Sequence, residues 1–559
     1  MRKVFPLFVV LGLVLAACQP TASETPAASE GPAESVAPFS PISYPEGGPQ
    51  DCAYGGEFSE IKAIDELTVE FTLCYPDPAF LSKIAFTAFA ISDTADLENN
   101  MINHLILAAP NGTGAYSLAQ WQRGIQLVLD KNPDYWGEIV GADQLVFRWS
   151  TESAARLLEL QAGTVDGIDN PAPNDFATIE GDANLQLIER AALSTFYVGF
   201  NENYEPFDDV RVRQALAMGI DRQRIVDQYY PEGSVTASHF TPCEIPLGCE
   251  GDEWYEFDLE GARALLAEAG YADGFDTVLN YRDVVRGYLP DPNVVAQDLQ
   301  EQLGENLNID VTIEVQESGT FLDNGSAGLL EGLYLLGWGA DYPDPTNFLD
   351  YHFNNVANEQ FGDIDASVTE PLTTGGTTLD VEVRAAAYAE ANNAIRETVP
   401  MVPVAHGASA TAWLADVVGA HASPLGNESF AHVTPGDRSQ MVWMQNAEPI
   451  ALYCADESDG ETLRLCEQVM EPLYVYEVGG VAPIPALAEE CVGNEDATSF
   501  TCNLRSGVTF HNGARFDAND VVMSYAVQWD QANPLHIGRT GSFEYFAAFF
   551  ANFLNVPEE

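Results

Sequence analysis

Basic residues are scarce in this 559-residue chain: 23 lysines and arginines face 85 aspartates and glutamates, a formal net charge of −62. No lysine follows Lys131. A summed field this negative repels phosphate backbones, which excludes nucleic acid as a partner class. The same excess keeps a secreted protein soluble and favours cationic solutes, but charge alone names no ligand. Long apolar runs are lacking as well. The one candidate, residues 5–15, falls well short of the roughly 20 residues that span a bilayer. Short catalytic and cofactor signatures are missing: there is no HExxH helix, GxSxG elbow, P-loop or GxGxxG fingerprint, and the eight histidines are scattered singly. Lone histidines such as His406 and His511 read as structural. The cysteines lack CxxC spacings, so no zinc site is expected, and no cofactor is indicated.

What is present is ample core. Hydrophobic residues make up 46% of the chain and aromatics 11%, a globular composition that excludes global disorder. The length exceeds what one hydrophobic core serves, so two or three domains are expected. At the start, Arg2 and Lys3, the apolar run and then Leu15-Ala16-Ala17-Cys18 resemble a bacterial lipoprotein signal with its lipobox. Residues 1–18 are read as that signal, with Cys18 lipidated and acyl chains holding the protein to a membrane face. Residues 19–45, rich in Ala, Ser, Thr, Pro and Glu without hydrophobic period, read as a flexible tether. Removing Cys18 from nine cysteines leaves an even set in sequence-near pairs: Cys52/Cys74, Cys243/Cys249, Cys454/Cys466 and Cys491/Cys502. Such pairs predict disulfides in an oxidising compartment.

Two segments alternate apolar and polar residues about an acidic turn, at 61–73 and 491–504, and predict hairpins. Helical periodicity covers 152–162, 210–227, 259–269, 292–303, 381–398 and 459–470. Short strands are predicted between them at 145–148, 195–200, 310–315 and 332–336. Interleaved strands and helices argue for α/β lobes.

Several stretches carry a family resemblance. NGTGAYSLAQW (111–121), LVLDKNPDYWG (127–137), LLELQAGTVDGID (157–169), PFDDVRVRQALAMGIDRQRIV (206–226), YEFDLEGARALLAEAGY (255–271) and LLGWGADYPDPTNFL (335–349) resemble the oligopeptide and dipeptide solute-binding proteins of ABC importers. They follow family order. MVWMQNAEPIALY (441–453), EPLYVYEVGG (471–480), ALAEEC (486–491) and NLRSGVTFHNGARFDANDVVMSYAVQWD (503–530) resemble the beginning of such receptors, yet here they stand at the end. This order reads as a circular permutation, with the usual termini joined near 434–440 and new ones opened between the Asn555 region and Pro45. Permutation succeeds where exposed loops are cut and termini lie close together.

The resemblance implies a periplasmic-binding-protein-like α/β fold of two large hinged lobes and a small subdomain. Residues 111–198 and 409–483 would build the first lobe, 199–408 the second, and 45–110 with 484–559 the subdomain. Crossings near Val198 and Ser409 would form a hinge whose closure captures solute. Asp341, in Trp338-Gly339-Ala340-Asp341, matches the family position whose aspartate pairs with a peptide's ammonium. In the absence of that motif it would read as a turn cap before Pro343. Gly339 leaves room for an extended peptide to pair with its backbone. Trp338 and Tyr342 could supply an apolar wall, although aromatics beside a strand are more often core. Arg282 and Arg286 are candidates to hold a peptide's carboxylate, against the alternative of a solvated helix face. Asp459 and Gly460 fall where the family places ligand-facing residues of the opposite lobe.

The implied function is therefore a lipid-anchored, extracytoplasmic receptor, a monomer that delivers peptides to an ABC permease and is not an enzyme. An oligosaccharide or other solute is the alternative ligand. A secreted hydrolase with paired carboxylates and a cell-surface interaction module are the competing classes.

Overall fold

A computed structural model describes residues 39–354 and 357–557. The chain divides into two units, Met1–Ser40 and Pro41–Glu559, and the account below concerns the second. The signal segment, Cys18 and most of the tether lie outside the described residues.

Three sheets organise the fold. The first is five-stranded, in the order Ser43–Tyr44, Phe58–Asp65, Thr68–Leu73, Ser499–Leu504, Ala488–Gly493. Its two hairpins form where the alternation predicts, turning at Glu66-Leu67 and beyond Asn494. They join across Thr68–Leu73 and Ser499–Leu504, so opposite ends of the chain share one sheet. Aromatic rings seal the face: Phe58 meets Phe550 at 4.7 Å between centroids, and Phe71 meets Tyr525 at 5.2 Å.

The second sheet is seven-stranded, in the order Tyr116–Gln122, Gln126–Lys131, Gln144–Trp149, Gln440–Gln445, Gly167–Asp169, Ser409–Leu414, Leu185–Arg190. The late strand Gln440–Gln445 sits between early ones and runs parallel to Gln144–Trp149. Trp413 and Trp443 fill the core beneath it. The third sheet has six strands, Val235–Thr236, Met401–His406, Ser194–Phe200, Leu333–Gly339, Asp276–Arg282 and Asp310–Gln316. The chain passes between these two sheets at 191–193 and at 407–408. The passages are adjacent, with Ser194 Oγ donating to Gly407 O at 3.1 Å. Val198 lies inside a strand of the third sheet, so the first passage comes earlier than the sequence boundary.

Aspartate opens many of the helices. Asp209, Asp221, Asp258, Asp291 and Asp380 each accept a hydrogen bond from a first-turn amide, a stabilising use of negative charge at the positive end of a helix dipole. One such cap corrects the sequence reading. The single helix expected over 210–227 is two, Val210–Gly219 and Arg222–Tyr229. Ile220 turns extended, and Asp221 captures Arg224 N at 3.0 Å to start the second.

The four cysteine pairs lie at disulfide distance: Cys52–Cys74, Cys243–Cys249, Cys454–Cys466 and Cys491–Cys502. No described helix is long and apolar enough to cross a membrane. The two ends of the unit meet at Asp530. Its carboxylate accepts from Tyr44 Oη and from Asn555 Nδ2, the latter at 3.0 Å. At the other notable junction, Thr434 pairs with Val418 and a turn over 435–439 leads straight into Gln440–Gln445.

Candidate functional site

The strand Leu333–Gly339 lies in the third sheet between Ser194–Phe200 and the parallel strand Asp276–Arg282. It ends at Gly339 because the following Ala340-Asp341 turns away and Asp344-Pro345 starts the helix Pro345–Phe353. Proline at the first helical position costs no hydrogen bond, and Asp344 caps the amide of Thr346. Asn347, one turn into that helix, folds back on the strand end. Its Nδ2 donates to Asp341 Oδ2 at 3.0 Å, and its Oδ1 accepts from Asp341 N at 3.0 Å and Trp338 Nε1 at 3.3 Å.

Two tyrosines from distant sequence complete the surroundings. Tyr545, on the helix Glu544–Phe550, donates its hydroxyl to Asp341 Oδ1 at 3.3 Å. Tyr476, on the strand Tyr474–Tyr476, shares its one hydroxyl proton between the carbonyls of Ser82 at 2.8 Å and Asp341 at 3.1 Å. Asp341 thus lies where three remote segments converge. It is half-buried, with some solvent-accessible surface left. Among the described residues it forms no ion pair. Burial pushes its carboxyl up to about 7, against the pull of the Asn347 and Tyr545 hydrogen bonds. Such a group gains from any cation that reaches it.

The other predicted residues fall in different places. Trp338 is half-buried and stacks on Tyr351 at 4.2 Å between centroids. Gly339 is exposed, and a side chain there would meet nothing within 4 Å, so open space faces its backbone. Tyr342 is only 2% exposed, bonded to Thr346 and packed on Phe549. Its ring belongs to the interior in this conformation. Arg282 ends the strand Asp276–Arg282 at the same carboxyl edge as Trp338, since the two strands run parallel. Ligands of α/β sheets bind at such edges. Its guanidinium donates to Ser318 Oγ and Tyr288 Oη, each at 3.1 Å. Arg286 is exposed on the loop that follows and pairs through its backbone with Leu289. The stretch is strand end and loop, so the solvated-helix alternative for this pair falls. Asp459 caps the helix Gly460–Val469 through Thr462 N at 2.9 Å, while its other oxygen is buried without a partner and Gly460 is exposed.

Asn347, Tyr476 and Tyr545 are absent from the sequence candidates. Asn347 carried a signal, an amide one turn inside a helix headed by Asp-Pro and able to reach back to the preceding turn. Tyr476 and Tyr545 carried none, being 135 and 204 residues from Asp341.

A second charged cluster lies in the seven-stranded region. Arg190 reaches Asp169 at 3.0 Å and Glu428 at 2.7 Å, and Arg464 reaches the same two carboxylates at 2.9 and 2.6 Å. All four side chains are buried.

Comparison with known proteins gives a consistent picture. The family model described as bacterial extracellular solute-binding proteins, family 5 middle, matches residues 28–360 and 482–542. A di/tripeptide-binding protein of Pseudomonas aeruginosa is 30% identical over 397 residues, covering 69% of this chain and 73% of the relative. The dipeptide-binding protein of Escherichia coli is 28% identical over 384 residues, covering 67% and 71%. Among solved structures, a Pseudoalteromonas dipeptide-binding protein in complex with Met-Leu superposes with a TM-score of 0.61 at 27% identity, covering 68% of this chain and 76% of that one. The mixed α/β fold is that of the periplasmic peptide-binding proteins.

Proposed function

The chain belongs to family 5 of the bacterial extracellular solute-binding proteins, and from that premise we propose that it is a peptide receptor of an ABC importer whose Asp341 receives the ligand's free ammonium group. The observation that carries this reading is a cation-free carboxylate, partly accessible, at the convergence of three segments. A charge-assisted hydrogen bond there contributes roughly 1.5–3 kcal/mol. The contact recognises an ammonium such as a peptide's free terminus. The open space at Gly339 suits an extended backbone, and Arg282 at the same sheet edge suits the ligand's carboxylate.

Residues 111–190 with 409–483 and residues 194–406 act as lobes that close about the paired passages at 191–193 and 407–408. A ligand touching both favours the closed form, and one touching a single lobe shifts nothing. Residues 45–110 and 484–559 form the subdomain that supplies Tyr545. The mechanism is capture, closure and delivery to a permease, with no bond made or broken. Cys18 is the lipid attachment point, on the extracytoplasmic face. The order of the chain is a circular permutation, supported by the ends meeting at Asp530 and by the short turn over 435–439.

The test is native mass spectrometry of protein lacking residues 1–18, with thermal-shift titrations of free and N-acetylated peptides. Stabilisation by free peptides, abolished by acetylation or by Asp341→Asn, is the expected result. Equal stabilisation by both, or by oligosaccharides alone, removes Asp341 from this role.

A further inference from the structure

Asp456, at the end of the 3-10 turn Cys454–Asp456, is 4% exposed and forms no salt bridge among the described residues. Its carboxylate is spent on the 538–543 loop. Oδ2 accepts from Thr540 N at 2.6 Å and Gly541 N at 2.9 Å, and Oδ1 accepts from Thr540 Oγ1 at 2.8 Å and Phe543 N at 3.0 Å. The loop passes so close that a side chain at Gly538 would sit 2.3 Å from Oδ2. Next to it, Glu457 holds Arg539 through two hydrogen bonds of 2.7 and 2.9 Å. The loop ends in Phe543, fully buried with φ of 41°. A left-handed conformation is costly for a bulky residue and persists only where surrounding contacts impose it. Phe543 caps the helix Glu544–Phe550, and Tyr545 follows two residues later with its hydroxyl on Asp341.

From this chain of contacts we propose that Asp456 is a positioning residue of the ligand site: by gathering the 538–543 loop around its carboxylate it sets Tyr545 against Asp341, and so tunes how Asp341 receives a ligand's ammonium. The second half rests on the function proposed above. Asp456→Asn turns an acceptor oxygen into an NH2 group facing donors, which releases part of the loop and loosens Tyr545.

The experiment reads Asp341 directly. In full-length protein carrying 13C-labelled aspartate, the Asp341 carboxyl signal is assigned by its loss in Asp341→Asn, and its titration is followed in four forms: wild type, Asp456→Asn, Tyr545→Phe and the double variant. The groups facing Asp341 are Asn347, Tyr545, Tyr476 and Tyr351, with Glu544 beside Tyr545 and Tyr351. The midpoint is expected to rise in both single variants, with no further rise in the double. Removing the Asp456 charge alone would move it down, so a rise reports the loss of Tyr545. An unchanged or lowered midpoint in Asp456→Asn, or additive shifts, overturns the proposal. Arg539→Lys, on the loop's exposed rim, keeps the charge while giving up the paired hydrogen bonds to Glu457, and is read in parallel. It is expected to raise the midpoint by a smaller amount, and no change in it counts against the proposal even if Asp456→Asn fails to fold. In binding titrations, the preference of wild type for a free over an N-acetylated peptide should fall about three- to tenfold in Asp456→Asn, the range of one lost hydrogen bond. Expected midpoints with no such preference in wild type would sink the ammonium reading and leave Asp456's hold on Tyr545 upheld.

Discussion

Asp169 and Asp341 both stand at the end of a sheet strand, yet the protein treats their charges in opposite ways. Burial works against the Asp169 carboxylate, but Arg464 and Arg190 outweigh it and hold the group below the usual range. With Glu428 they form a neutral ring of two cations and two anions. Asp341 is offered only the neutral donors of Asn347 and Tyr545, and burial carries it up to about 7. A charge compensated from within needs nothing further, whereas one left uncompensated would gain from a cation that reached it, as the proposed function requires of Asp341. In a chain so rich in acids, the presence of a carboxylate says little. The useful distinction is which carboxylates the few arginines have been assigned to.

The strongest way to break this contrast is to open the ring. Arg464→Met strands buried carboxylates and should destabilise the protein by about 3–5 kcal/mol, read by denaturant unfolding. A loss below about 1 kcal/mol would show that the ring is not compensating charge. Next in size is ligand affinity. Asp341→Asn should weaken a free-ammonium peptide by roughly 1.5–3 kcal/mol, about 10- to 100-fold, while Arg464→Met protein that remains folded retains the preference for a free terminus over an acetylated one. Calorimetric titration of each variant checks this.

The two aspartates should also give opposite pH slopes. Asp341 has a folded pKa of about 7, above its unfolded value of about 3.9. Between those values the native state keeps a proton that the unfolded chain has released, so stability falls as pH rises from 4 to 7 and levels off above. Asp341→Asn should therefore match wild type near pH 4 and exceed it at pH 8. Asp169 is depressed, so its contribution is present above about pH 4 and disappears in acid. Asp169→Asn should be less stable than wild type at neutral pH, with the gap closing in acid. Parallel curves for the two variants would remove the contrast. For binding, the ammonium displaces the Asp341 proton, so affinity should climb with pH until about 7 and then flatten.

Glu471 gives the smallest effect and the sharpest control. Like Asp341 it forms no salt bridge among the described residues and is pushed up to about 7 by burial. Unlike Asp341 it is enclosed, accepting from Thr113, Tyr135 and Trp136 at 2.7–2.9 Å. Glu471→Gln should relieve the same pH-dependent penalty and leave peptide affinity unchanged. A change in affinity would show that lack of a cation, and not access, marks the site.

Local physics made much of the fold legible. The helices Leu259–Ala269 and Val381–Thr398 span the residues their periodicity predicts, each behind an aspartate cap. Both hairpins follow from alternation about acidic turns. The reading failed where one side chain decided the outcome. At Ile220-Asp221 an uninterrupted helical pattern is cut by a single cap, and at Arg282 a charged tyrosine-flanked stretch ends a strand instead of lining a helix. Around the proposed site, Asp341 and Trp338 were named from their motif, and Asn347, which holds both, was recoverable from its place in a capped helix. Tyr342 shares that motif but points into the core, the alternative that its place beside a strand had offered.

The sequence by itself determined the scarcity of cations, most of the helices and both hairpins, the pairing of near cysteines and the family. Those depend on composition and on contacts a few residues apart, where chain geometry leaves few choices. Only the tertiary structure decided which carboxylates the arginines neutralise, that residues 474–476 and 544–550 bring tyrosines to Asp341, and that Asp456 reaches the 538–543 loop. These contacts close loops of tens to hundreds of residues, and packing of whole sheets selects them.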